Sequence, residues 1–262
     1  MGDSTVLYEL RDHVGYITLN RPAYHNSIDK ATLDALSGIL SSCRDDDNCR
    51  VIIVAGAGEK AFSAGADVNM FLKVMPDVLG GRDWSRYGQT VLNLFDSLGK
   101  PSIAVINGMA LGGGFELALA CTFRIASQKA RFGFSEISLG FIPGWGGTVR
   151  MMRLAGKAKT TELVLTGRLI DAGEALRVGA VNSVVPPEEM LPAAEALAQK
   201  IIGNSPVAVK LAMEVLHYAG DLSFDEALKA ESNLAGLACC SEDAKEGLKA
   251  FMEKRDPQFY GK

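Results

Sequence analysis

Histidine is scarce in this chain and cysteine is unpatterned. The three histidines (His13, His25, His217) have no metal-ligand spacing, and the five cysteines (Cys43, Cys49, Cys121, Cys239, Cys240) form no CxxC and no Cys/His set. Folding therefore should not depend on a metal or on disulfides, and reduced thiols predict a cytoplasmic protein. There is no GxxxxGK phosphate loop. Gly56-Ala-Gly58-Glu-Lys-Ala61 fits a dinucleotide fingerprint only as a pattern, because the small-residue stretch Phe62–Asp67 follows where a helix should open. Lysine and arginine form no block, and the net charge of −4 is spread along the chain, so a nucleic-acid partner is not expected. The uncharged run Pro101–Phe115 is too short and glycine-rich to span a membrane, and MGDSTVLYEL has acids where a signal peptide needs a basic start.

What the chain does have is apolar mass: 48% of its 262 residues are hydrophobic, enough for a sizeable core. Thr5–Leu10 and Val14–Leu19 read as a hairpin, and VIIVA (Val51–Ala55) as a buried strand. Asp29 is placed to cap a helix through about Cys43, with Leu33, Leu36 and Leu40 on one face. Ser102–Ile106 and Phe123–Ser127 add strands on either side of a glycine-led helix, giving α/β layering. After about Pro143 helices dominate: Gly147–Ala155, Lys159–Thr166, Asp171–Val178, Pro187–Ile202, Pro206–Ala219, Leu222–Leu237 and Ser241–Lys254.

Two loops carry the chemistry. Gly112-Gly113-Gly114 lets backbone approach a ligand and leads into a helix whose N-terminus attracts an oxyanion. Lys60–Asp67 follows the VIIVA strand with small residues, so the N–H of Ala66 is able to meet the N–H of Gly113 across a pocket. Two converging donors make an oxyanion hole, as an enolate of a thioester requires. Glu116 and Glu136 then supply two acids in the same stretch.

Together these loops and glutamates resemble the crotonase family, the enoyl-CoA hydratase/isomerase superfamily. The likeness covers nearly the whole chain, through Ile17–Pro22, Ala61–Asp67, Asn107–Glu116, Ala130–Glu136, Ile142–Thr148 and Phe251–Arg255. It implies the crotonase (ClpP/crotonase-like) α/β spiral of ββα units with a helical C-terminal region. The core would span residues 1–200 and a trimerisation region 201–262, in a homotrimer or a hexamer made as a dimer of trimers. The implied activity is enoyl-CoA hydration, with other crotonase reactions (isomerisation, hydrolysis, cyclic dienoyl-CoA hydration) as the alternative.

The resemblance makes Ala66 and Gly113 the oxyanion donors and places Glu116 and Glu136 on the two hydratase acids. Ala64, Asp67, Val68 and Asn69 would line the CoA, Gly144 would lie near the catalytic water, and Phe251 and Lys254 would reach the CoA of an adjacent subunit. CoA enters as the substrate's handle, with no cofactor, no metal and no membrane. Some relatives bind RNA through a lysine-rich helix; here Lys30–Arg44 holds only its two terminal bases.

The chain departs from the family pattern at Phe115, at Phe134-Ser135 and at Trp145 within the PGxGG loop. Asn69–Phe95, which covers the acyl pocket in relatives, contains Met70, Phe71, Met75, Trp84 and Tyr87. These residues are expected either to reshape the acyl site for a branched or cyclic group, or to face the core or a subunit contact.

Overall fold

The computed structural model describes residues 4–74 and 77–262. Strands β1 (Val6–Arg11) and β2 (Val14–Leu19) form the expected hairpin. Its two-residue loop, Asp12 and His13, has both φ angles positive at 49° and 64°, the turn whose twist matches paired strands. Asp29 caps α1 (Lys30–Asp45): its Oδ1 accepts from Thr32 N at 2.8 Å, and Leu33, Leu36 and Leu40 are buried on the inner face.

The chain then winds. Strands β3 (Val51–Gly56) and β4 (Ala61–Ser63) precede α2 (Val68–Val74) and α3 (Val78–Ser97). Next, β5 (Ser102–Ile106) and β6 (Met109–Leu111) precede α4 (Gly113–Ala120). A third turn, β7 (Phe123–Ser127) and β8 (Arg131–Gly133), leads to a short 3-10 helix, Glu136–Leu139, and to α5 (Gly147–Thr166). Each turn gives one strand to each of two sheets, which is the spiral of ββα units. With β9 (Ile170–Asp171), α6 (Ala172–Arg177) and β10 (Ser183–Val185), the larger sheet has the order β1-β2-β3-β5-β7-β10 and the smaller β4-β6-β8-β9. All pairings are parallel except β1 with β2 and β8 with β9.

The larger sheet is covered on both faces, which explains the unbroken apolar run of β3. Ile52, Val54, Ala104 and Ile106 face the main core. Val51, Ile53, Ile103 and Val105 meet Met190, Ala194 and Ala198 of α7 (Met190–Ile202). Beyond it lie α8 (Pro206–Ala219), α9 (Phe224–Cys239) and α10 (Glu242–Glu253). Buried Asp243 on α10 accepts from Ser205 Oγ at 2.7 Å and Tyr260 N at 2.8 Å, tying the tail to the start of α8.

Two expectations shift. The separate helices 147–155 and 159–166 are one element bent at Gly156, whose φ of 75° breaks helical geometry at the expected gap. The twenty-residue helix α3 was not expected: its small and polar residues hide a buried face of Trp84, Gly88, Val91, Leu92 and Phe95.

Candidate active site

Sheet register assembles the site. Parallel pairing of β4 with β6 sets the Ala64–Asp67 loop beside Gly112, and Leu111 opposite Gly133 in β8 brings Glu136 to the same place. Gly112 has φ 49°, and a Cβ there would lie 2.7 Å from Glu136 Oε1, so both backbone and space require glycine.

The two expected donors converge. Ile28 N donates to Gly65 O and Asp67 N to Ile28 O, so the intervening Ala66 N–H points to the opposite side. Gly113 is the first residue of α4, and its N–H belongs to the turn that has no intrahelical acceptor. A Cβ built on Gly113 would lie 3.2 Å from Ala66 N, and one on Gly65 3.2 Å from Gly113 N. Among the described residues neither N–H has a protein acceptor.

Glu116 sits on the first turn of α4, whose eight residues are all buried, and is itself only 2% exposed. Its Oε1 accepts from Trp145 N at 2.8 Å and Gly147 N at 2.7 Å. Burial raises its pKa from 4.5 to about 7, against the lowering by the Gly147 N–H; the neighbouring Glu136 adds to the rise. Glu136 opens the 3-10 helix, half-buried, with Oε2 buried and unpartnered among the described residues. Burial raises its pKa as well. Two carboxyl groups with raised pKa thus stand beside two unpaired backbone donors, an arrangement able to add or remove a proton next to a carbonyl whose oxygen is held.

The glycine-rich loop is fastened from α3. Gly144 O accepts from Ser85 Oγ at 2.5 Å and Gln89 Nε2 at 2.8 Å. Trp145 O accepts from Arg150 Nη1 at 3.1 Å, and Arg150 pairs with Asp96 at 2.7 Å. Ser85, Gln89 and Arg150 were not picked from the sequence, since lone polar residues on a helix carry no signal until the loop opposite them is known.

The remaining candidates separate. Ala64 is half-buried and its N donates to His25 O at 2.9 Å; Val68 and Asn69 are exposed at the start of α2. Asp67 Oδ1 accepts from Asn69 N at 3.1 Å, and its Oδ2 pairs with Arg21 Nη2 at 3.1 Å. Burial raises the Asp67 carboxyl, but the Asn69 N–H and the Arg21 guanidinium outweigh it and hold the group below the ordinary carboxylate range. Phe251 and Lys254 lie exposed at the end of α10.

Two of the departures, Phe115 and Phe134, face the core. Phe115 and Phe134 are fully buried with ring centroids 5.1 Å apart, and Phe132 packs on Phe115 at 5.4 Å. Tyr87 is partly buried against the core, with its hydroxyl donating to Asp34. Met70 and Phe71 are partly buried against the core, and Phe71 meets Phe141 at 4.7 Å. Trp84 and Trp145 are both buried and meet edge to face at 5.8 Å. Met75 lies outside the described residues.

Comparison with known proteins shows the family. The family model described as enoyl-CoA hydratase/isomerase matches residues 9–262. The short-chain-enoyl-CoA hydratase of Clostridium acetobutylicum is 40% identical over 252 residues, 96% of each chain. The crotonyl-CoA hydratase of Syntrophomonas wolfei is 37% identical over 262 residues, 100% of each chain. The crystal structure of an enoyl-CoA hydratase from Bacillus anthracis superposes with a TM-score of 0.94 at 40% identity, covering 98% of this chain and 100% of that one.

Proposed function

The chain belongs to the enoyl-CoA hydratase/isomerase family, and from that premise we propose that it is an enoyl-CoA hydratase, adding water reversibly across the 2,3 double bond of an enoyl-CoA thioester. The observation that carries this reading is the pair of carboxyls, buried Glu116 and half-buried Glu136, beside the unpaired N–H groups of Ala66 and Gly113.

The thioester oxygen accepts from Ala66 N and Gly113 N, which stabilise enolate charge as it develops. A water lies between the two glutamates. The ionised carboxylate takes its proton as the oxygen attacks C3, and the protonated carboxyl delivers a proton to C2. Glu136, whose Oε2 lacks a protein partner, is assigned the C2 proton. Glu116, held by two N–H groups at a single oxygen, keeps its other oxygen for the water. A like-charged neighbour in a dry pocket keeps one carboxyl protonated while the other is charged.

The coarser features follow from the same reading. Ala64 and Asp67–Asn69 line the CoA through backbone groups, Gly144 lies near the water, and no cofactor is needed beyond the CoA of the substrate. Residues 1–200 form the catalytic core and 201–262 the assembly region of a homotrimer or a dimer of trimers, in which Phe251 and Lys254 reach a neighbour's CoA. Exposed Leu216, Phe224, Leu237, Leu248 and Phe251 support that assembly. No helix among the described residues is long and apolar enough to cross a membrane. We place the enzyme in the cytoplasm, in fatty-acid β-oxidation.

The test is loss of conjugated-enoyl absorbance with crotonyl-CoA in heavy-oxygen water. Incorporation of the label at C3 is expected. A shifted double bond without label, or label only in a released carboxylate, would instead identify an isomerase or a hydrolase.

A further inference from the structure

The indole of Trp145 bridges two glycines. A Cβ on Gly88 of α3 would lie 2.2 Å from its Cδ1 and Nε1, while a Cβ on Gly113 of α4 would lie 2.6 Å from Cζ3 and 2.8 Å from Cε3. Those are opposite edges of one ring system, so the ring fills the whole gap between the two helices. Only glycine at both positions leaves room for it. The side chain is 3% exposed, and Trp84 backs it edge to face.

The ring is also held in place. Its residue donates N–H to Glu116, Arg150 binds its carbonyl, and Ser85 and Gln89 of α3 hold the carbonyl of the preceding Gly144. These bonds fix the backbone that carries the ring and, through Trp145 N, orient a catalytic carboxyl. The ring itself is confined by its packing against Gly88, Gly113 and Trp84.

Gly113 supplies an oxyanion donor and Glu116 addresses C3, so an acyl chain must leave C3 through the space these residues border. Building on the hydratase reading, we propose that Trp145 closes the acyl end of the site, and that the enzyme takes short, unbranched 2-enoyl thioesters of crotonyl size while rejecting longer and cyclic ones. The bulk at this position thus narrows the acyl site instead of adapting it to a branched or cyclic group. The same residue joins specificity to catalysis, its backbone placing the acid and its side chain setting the length limit.

The test compares kcat/KM for crotonyl-, octenoyl- and cyclohexenecarbonyl-CoA in wild type, Trp145→Phe and Trp145→Ala, with thermal unfolding to verify the fold of each. The phenylalanine variant keeps an aromatic against Trp84 and guards against collapse of the alanine variant. Since one methylene in an apolar pocket changes kcat/KM by about 10–200-fold, wild type is expected to favour crotonyl over octenoyl by at least about 10-fold. Trp145→Phe should raise the octenoyl-to-crotonyl ratio, and Trp145→Ala should raise it further. Equal use of all three esters by wild type, or variants that slow every ester by one factor, would overturn the length limit and leave the hydratase reading standing. Failure of wild type to hydrate any ester would overturn both.

Discussion

All eight residues of α4 are buried, whereas no residue of α8 or α9 is, although both helices are described in full. Helix α4 is apolar all round because it lies inside the spiral, so the one charged residue it carries, Glu116, is forced into a dry place where its chemistry changes. Helices α8 and α9 pack mainly on each other and leave Leu216, Phe224 and Leu237 in the open. An apolar face so placed is what a second copy of a chain covers. On the proposed reading, the contrast sets the catalytic acids inside one chain and the assembly surface on the helices left open.

The sharpest way to break that division is at the acids. Glu116→Gln and Glu136→Gln each keep volume and remove one titrating group, and each is expected to lower kcat on crotonyl-CoA by about 10²–10⁴. A loss below about 10-fold in either variant would remove that residue from the chemistry.

The second effect is on stability and follows from the raised pKa of Glu116. Between 4.5 and about 7 the folded chain holds a proton that the unfolded chain has released. The stabilising contribution of this one group is therefore fullest below pH 4.5, is lost as pH rises to about 7, and is flat above. Glu116→Gln lacks this term. Urea unfolding should show the variant gaining on wild type with rising pH, by about 3 kcal/mol at neutrality, since each pKa unit is worth about 1.4 kcal/mol. Parallel pH profiles would mean that the carboxyl is not desolvated.

Gly112→Ala sits next in size. A Cβ at φ 49° would press on the Glu136 carboxyl, and about 1–3 kcal/mol of stability should be lost. Activity should fall with Glu136 displaced, while Gly236→Ala in α9, where a Cβ meets nothing within 4 Å, should be neutral or slightly stabilising. Comparing the two by thermal unfolding and initial rate sets the buried helix against the open one directly.

The smallest expected effects lie at the C-terminus. Phe251→Asp should shift sedimentation toward smaller species, with subunit stability changed by no more than about 0.5 kcal/mol, as for surface positions. Lys254→Ala should raise KM for crotonyl-CoA a few-fold with kcat kept. A fall in kcat equal to that of the glutamate variants would erase the distinction between the two regions.

Much of this was legible beforehand. The hairpin, the Asp29 cap and the strand at Val51 follow from local propensity and periodicity, signals carried by neighbours in the chain. The three-residue strands β4, β6 and β8 passed unnoticed, because runs so short gain their order from partners far away in sequence. Helix α3 was missed for a related reason: Gly80, Gly81 and Gly88 weaken its local signal, and its helicity rests on packing against α1 and α4.

By itself, then, the sequence determined the chemical vocabulary: two glutamates, a triple glycine, a small-residue loop and a strand order that alternates with helices. These are local matters of residue type and spacing. Tertiary structure alone decided which way the large side chains turn. Phe115 and Phe134 went to the core and Trp145 to the gap between Gly88 and Gly113, since a bulky residue's direction depends on space left by segments distant in the chain. The raised pKa of Glu116 belongs to the same class, because desolvation is a property of everything packed around a carboxyl and of no residue alone.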